Sequence, residues 1–234
     1  MRLRFGLLIL ATGFVTVQAG TFTVVAPNGN SSVNGSANQY GIFDDNWTFQ
    51  WELAASQLTP LAGDSLTAIG FRLDSGESSL TPTTVASFDL QLSSAVNPIG
   101  SMSSTFGNNI GPDAVTVYDA SLSLGSLTGG SGPNPFFLIT FSTPYTYTGG
   151  NLVMTATVSG ASSTSFSVDA NRVGDGYGDT VVSNMAEYFN YPITELQAGT
   201  ATTDTTTPEP ATLLSLAGGL LALGALRLHK SRHS

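Results

Sequence analysis

Residues 66–76 read Leu66-Thr67-Ala68-Ile69-Gly70-Phe71-Arg72-Leu73-Asp74-Ser75-Gly76. In an extended chain successive side chains point to opposite faces. Thr67, Ile69, Phe71 and Leu73 therefore share one side, with Arg72 on the other, and Asp74-Ser75-Gly76 supplies the turn that ends the strand. The same period of two recurs outward from this stretch. Phe88, Leu90 and Leu92 alternate with Ser87, Asp89 and Gln91, and Val115 and Val117 with Thr116 and Tyr118. Phe137, Ile139 and Phe141 form a further stripe, as do Leu152, Met154, Ala156 and Val158, and Phe166 with Val168. Turn chemistry separates the stripes at Asn97-Pro98, Gly111-Pro112-Asp113, Gly129 to Pro133, Thr148 to Asn151 and Ser159-Gly160. The pattern predicts an all-β body over residues 20–197, an antiparallel β-sandwich or jelly-roll-like ectodomain. The best helical stretch, Glu52 to Leu58, spans two turns at most.

The flanks differ from the body in charge. The 234 residues hold 7 Lys and Arg against 16 Asp and Glu, a net charge of −9. Residues 1–19 carry Arg2 and Arg4 and no acid. Residues 20–207 carry all but one of the acids, opposed only by Arg72 and Arg172, and the end is again basic. Arg2 and Arg4, the apolar run Phe5 to Val17 and the small residue Ala19 predict a secretory signal peptide over 1–19, cleaved after Ala19. Ala211 to Leu228 contains only Thr212, Ser215 and Arg227 as polar residues. Eighteen helical residues rise roughly 27 Å, near the hydrocarbon thickness of a bilayer. A run that is apolar on every side predicts one transmembrane helix over 211–228. Arg227, Lys230 and Arg232 follow as a basic stop that keeps this end cytoplasmic and the acidic body outside. The Thr-rich stretch 198–207 reads as an extended linker.

The run Thr207-Pro208-Glu209-Pro210-Ala211-Thr212, the Leu/Ala/Gly span and the basic end together resemble a PEP-CTERM sorting signal. The basic end is diluted by Leu228, His229 and Ser231, a departure from denser arginine clusters in that family. The resemblance covers residues 208–234. It implies an exported bacterial protein recognised at Pro208, Glu209 and Pro210 by an exosortase, a membrane-embedded cysteine transpeptidase. The implied itinerary runs through the general secretion machinery and signal peptidase to a transient inner-membrane anchor, with the ectodomain in the periplasm. It ends at the cell surface or in an extracellular polysaccharide or biofilm matrix. The body is similar to a recurrent ectodomain found ahead of such tails, in its Asn/Gly/Ser-rich opening Asn28 to Asn38, in Leu53 to Leu58, in Leu66 to Asp74 and in Ser103 to Gly111. That group brings no activity and no functional residue with it.

Composition narrows the chemistry. There is no Cys, and residues 20–207 contain no His and no Lys. Disulfides, thiolate or imidazole metal ligation, Ser-His-Asp and Cys-His machinery and Schiff-base chemistry are all excluded from the body. A net negative charge argues against nucleic acid as a partner. The remaining catalytic route is a pair of carboxylates, for which Asp44, Asp45 and Glu52 flank an aromatic strand. Trp47 and Trp51, with Tyr40, Phe43 and Phe49 nearby, offer rings for stacking on sugar faces. Trp47, Phe49, Trp51 and Leu53 equally share one face of a strand, as a core stripe does. In Asp169-Ala170-Asn171-Arg172-Val173-Gly174-Asp175-Gly176-Tyr177-Gly178-Asp179, the candidates for structural Ca2+ are Asp169, Asn171, Asp175 and Asp179. Val173 stands where a ligand is needed, no Glu closes the loop, and Arg172 could neutralise one carboxylate, so a hairpin loop is the competing reading. The expectation is a non-enzymatic, exported structural or adhesive protein without a required cofactor. A carbohydrate-binding module and a carboxylate-dependent glycan hydrolase are the alternatives.

Overall fold

The computed structural model describes residues 21–39, 42–43, 47–160, 166–182 and 190–199. The signal segment with Ala19, Asp44 and Asp45, the sorting motif Pro208, Glu209 and Pro210, the span 211–228 and the basic residues Arg227, Lys230 and Arg232 lie outside these. Among the described residues no helix is long and apolar enough to cross a membrane.

The body is an antiparallel all-β sandwich. One sheet has four strands in the order β1 (Thr21–Ala26), β12 (Thr194–Gly199), β4 (Ser65–Arg72) and β7 (Phe136–Thr146). The facing sheet has five, in the order β10 (Gly178–Val182), β3 (Thr48–Leu53), β8 (Leu152–Ser159), β5 (Thr83–Ser94) and β6 (Val115–Leu124). A small third sheet joins β11 (Asn190–Pro192), β9 (Val168–Arg172) and β2 (Ala37–Gln39). One helical turn, α1 (Ala55–Leu58), follows β3. The predicted helix over 52–58 is thus shortened, because Glu52 and Leu53 pair with Val153 and Leu152 as the end of β3.

The core is built from the stripes read in the sequence. Phe88, Leu90 and Leu92 of β5, Val117 of β6 and Leu152, Met154, Ala156 and Val158 of β8 are buried, facing Ile69 and Phe71 of β4 and Ile139 of β7. Aromatic rings bridge the two layers. Trp51 of β3 meets Phe71 of β4 edge-on at 5.9 Å. Phe43 stacks on Phe88 at 5.6 Å and meets Phe71 edge-on at 5.3 Å. Non-directional burial of this apolar area drives the two sheets together.

The period breaks once in the stretch that announces the fold. Leu66, not Thr67, is fully buried. Leu66 pairs with Ala198 and Ala68 with Gln197, which leaves Thr67 as an extra residue in a β-bulge. Its Oγ1 donates to the Gln197 carbonyl at 3.4 Å. A bulge shifts side-chain parity by one, so Leu66 and Ile69 both face the core. The body also extends past its expected limit. Ala198 and Gly199, assigned to the linker by composition, pair with Phe22 and Thr21, and Ala198 is fully buried.

Candidate functional site

β3 carries the densest chemistry, because it is buried on both faces. Phe49, Trp51 and Leu53 face the core, which settles the core stripe for these three. Trp51 is fully enclosed and packs on Phe49 and Phe71, so it has no ring face for a sugar and its assignment as a glycan contact is corrected. Trp47 is half-buried and packs against the same cluster.

The opposite face of β3 presents Gln50 and Glu52, both fully buried. The segment 97–111 between β5 and β6 covers Gln50. Gln50 Oε1 accepts from Asn109 Nδ2 at 2.6 Å, and its Nε2 donates to Thr155 Oγ1 at 2.8 Å and to the Phe106 carbonyl at 3.4 Å. Asn109 Oδ1 in turn accepts from Asn97 Nδ2 and the Ser103 amide, each at 2.7 Å. Every polar atom of this Gln50–Asn109 pair is partnered, as buried amides require. Sequence reading missed this network, since Gln50 and Asn109 lie 59 residues apart and look like ordinary surface amides.

Glu52 is less well served. Oε1 accepts from Asn151 Nδ2 at 2.8 Å, while Oε2 is buried without a partner. Burial pushes its carboxyl up to about 7, with a smaller upward push from Asp179 and a downward pull from Asn151. Asp179 stands opposite Glu52 in the β3–β10 register. Its Oδ2 accepts from the Met102 amide at 3.1 Å, and its Oδ1 from the Thr180 amide at 2.8 Å.

The remaining calcium candidates are dispersed. Asp169 Oδ2 lies 2.6 Å from Arg72 Nη2, and its Oδ1 accepts from the Gly35 amide at 2.8 Å. Arg72, on the strand face opposite Ile69 and Phe71 as periodicity placed it, is buried and is the cation that pairs with this acid, in place of Arg172. Its Nη2 also donates to the Val33 carbonyl at 2.7 Å, and its guanidinium lies 5.0 Å from the Phe136 ring centroid. Asn171 bonds to the Ser36 amide and Asn30, whereas Asp175 accepts from Tyr191 Oη at 2.6 Å and the Tyr177 amide at 2.8 Å. The hairpin reading is corrected as well, since β9 and β10 belong to different sheets and residues 173–177 carry the chain between them. Among the described residues no group of three or more His, Asp or Glu side chains is placed to hold a metal ion. Asn38, Arg172 and Asn190 line a shallow groove beside Ala37 on the small sheet. The chain matches no protein-family model, no curated protein and no solved structure, so its function is read from its own residues.

Proposed function

We propose that this chain is an exported, exosortase-processed protein with a non-catalytic structural or adhesive role at the cell surface or in an extracellular polysaccharide matrix. The observation that carries this reading is the order of segments: a signal-like start, an acidic β body, then Pro208-Glu209-Pro210, an apolar span and a basic end. The topology is compatible with it. Thr21 and Gly199 are register partners, so the body's first and last strands begin and end side by side. A body delivered between two membrane-directed segments is then held at one end of one sheet, and cleavage of both releases it without disturbing the fold.

The body's chemistry favours a passive role. Residues 20–207 hold no His, Lys or Cys. Gln50 and Asn109 are spent on internal hydrogen bonds, and the Trp51 ring is enclosed in the core. An acidic surface repels anionic polysaccharide, so contact with a matrix runs through hydrogen bonds and apolar surface. The test is the intact mass of the protein from its host, with and without the exosortase. A chain beginning near Gly20 and ending near Pro208 to Pro210 only when the enzyme is present supports the reading. An intact C-terminus in both strains reduces the span to a plain anchor and removes the sorting claim.

A further inference from the structure

On the outer face of β3 an acid is sealed in without a counter-ion. Glu52 is fully buried, its Oε1 accepts from Asn151 Nδ2 at 2.8 Å, and its Oε2 has no hydrogen-bond partner. The rest of β3, β8, the turn 148–151, α1 and the segment 97–111 contain no Asp, Glu, Lys, Arg, His or Tyr. The connection 173–177 holds Asp175 and Tyr177, and the Asp175 carboxylate is taken up by Tyr191 Oη and the Tyr177 amide. β10 contributes Asp179, the register partner of Glu52, so both carboxyls project from one face of the sheet. Of the two cations in residues 20–207, Arg72 is bound to Asp169, and Arg172 is exposed on β9 of the small sheet. An ionised Glu52 is thus both removed from water and opposed by a like charge. A protonated Glu52 leaves only a neutral O–H without an acceptor, which costs less. Burial accordingly pushes its carboxyl from 4.5 up to about 7, with Asn151 pulling it down and Asp179 adding a smaller push upward.

Asp179 also ties two elements together. Its Oδ2 accepts from the Met102 amide and its Oδ1 from the Thr180 amide. β10 is the outermost strand of its sheet and pairs there with β3 alone. The segment 97–111 is held at Asn109 by the neutral Gln50 and at Met102 by the charged Asp179. We infer that Glu52 and Asp179 form a proton-controlled clasp: a proton on Glu52 keeps β10 and the segment 97–111 closed on β3, and its loss loosens both. Ionised Glu52 repels the Asp179 carboxylate across the strand pair. β10 ends its sheet and yields, and Met102 loses the acceptor that holds it. Glu52 binds its proton more tightly in the folded chain than in the unfolded one. The stabilisation is therefore complete below 4.5 and is lost as pH rises through about 7. The clasp does not rest on the proposed export.

The test is hydrogen exchange by NMR on the full-length chain in detergent, at about pH 5.5 and about pH 8, with each rate divided by the intrinsic rate at that pH. Protection at the Met102 amide and along β10 should fall roughly tenfold at the higher pH, while β5 and β8 keep theirs. Glu52→Gln retains the size of the side chain and the acceptor for Asn151 but cannot ionise, so it should hold full protection at both pH values. Equal protection at both pH values in the unsubstituted chain overturns the clasp. So does a loss spread evenly over every strand, or a loss that persists in Glu52→Gln. Should Glu52→Gln fail to fold, an NMR titration of the Glu52 carboxyl in the unsubstituted chain decides. A loss of protection that follows its midpoint near 7 supports the clasp, and a midpoint at the ordinary glutamate value overturns it.

Discussion

Arg72 on β4 and Asp169 on β9 form a buried ion pair, with Nη2 2.6 Å and Nε 2.8 Å from the same carboxylate oxygen. The pair fastens the four-stranded sheet to the small third sheet. It also reaches a third segment, through Arg72 to the Val33 carbonyl and Asp169 to the Gly35 amide. Gly35 is needed there, because a Cβ would sit 2.0 Å from the Ala170 carbonyl oxygen. Removing one partner of such a pair leaves a buried charge uncompensated. Arg72→Ala should therefore cost about 3–5 kcal/mol in urea unfolding. Arg72→Lys should recover only part of this, since a compact ammonium does not reproduce the guanidinium's fixed fork of donors or its cation–π contact with the Phe136 ring. A loss under 1 kcal/mol for Arg72→Ala would refute this role.

Trp51 bridges the two main sheets through Phe71 and is fully enclosed. Trp51→Ala should cost about 3–5 kcal/mol through lost burial and the cavity left behind. Its indole N–H is also buried without an acceptor. Trp51→Phe deletes that unsatisfied donor along with some volume, so it should cost less than half as much as the alanine variant. Trp47 is half-buried, and Trp47→Ala should cost about 1–2 kcal/mol. Chemical denaturation followed by circular dichroism checks the order. Equal losses at positions 47 and 51 would contradict it.

The parts legible in the sequence were those written by burial on one face. The stripes of β5 and β8 appear in the structure as read, because each needs only a period of two and a neighbour. Thr67 was misplaced because a bulge changes parity without leaving a turn residue behind. The sequence puts Arg72 on the strand face opposite Ile69 and Phe71 and offers Asp169 as a calcium candidate, and it does not join them, since an ion pair across 97 residues has no local signature. The burial of Gln50 and Glu52 is illegible for a related reason: alternation marks the core face of β3 but says nothing of what covers the other. The link between β9 and β10 resembled a hairpin because its glycines fit a turn. Only the pairing shows that its two strands join different sheets.

Gly178 opens β10 directly beneath Tyr191. A Cβ there would lie 2.5 Å from ring carbons of Tyr191, whose Oη is anchored on Asp175 at 2.6 Å. The ring is fully buried and has little freedom to withdraw. Gly178→Ala should destabilise by about 1–3 kcal/mol as an overpacked site. Tyr191→Phe frees the ring from its anchor, so the double variant should lose less than the sum of the two single ones. A double-mutant cycle in urea measures the difference, and strict additivity would show that the ring is not held by Asp175.

Asp113 makes the fold sensitive to acid. Burial pushes its carboxyl up, but hydrogen bonds from Ser94 Oγ at 2.6 Å, Tyr145 Oη at 2.7 Å and the Ser94 amide at 2.9 Å outweigh this and hold it below the usual carboxylate value. Tyr145 remains a donor across the whole accessible range, because burial and the adjacent Asp113 push its hydroxyl upward. A carboxyl that titrates lower in the folded than in the unfolded chain binds fewer protons when folded. Its stabilising contribution is complete above the unfolded value of about 3.9 and disappears as pH falls through the lower folded value. Urea midpoints should therefore drop as pH falls below about 4, and the drop should be shallower in Asp113→Asn. Tyr145→Phe removes one of the donors and should move the Asp113 carboxyl, followed by NMR titration, back toward its ordinary value. An Asp113 that titrates unchanged in Tyr145→Phe would mean that Ser94 alone depresses it.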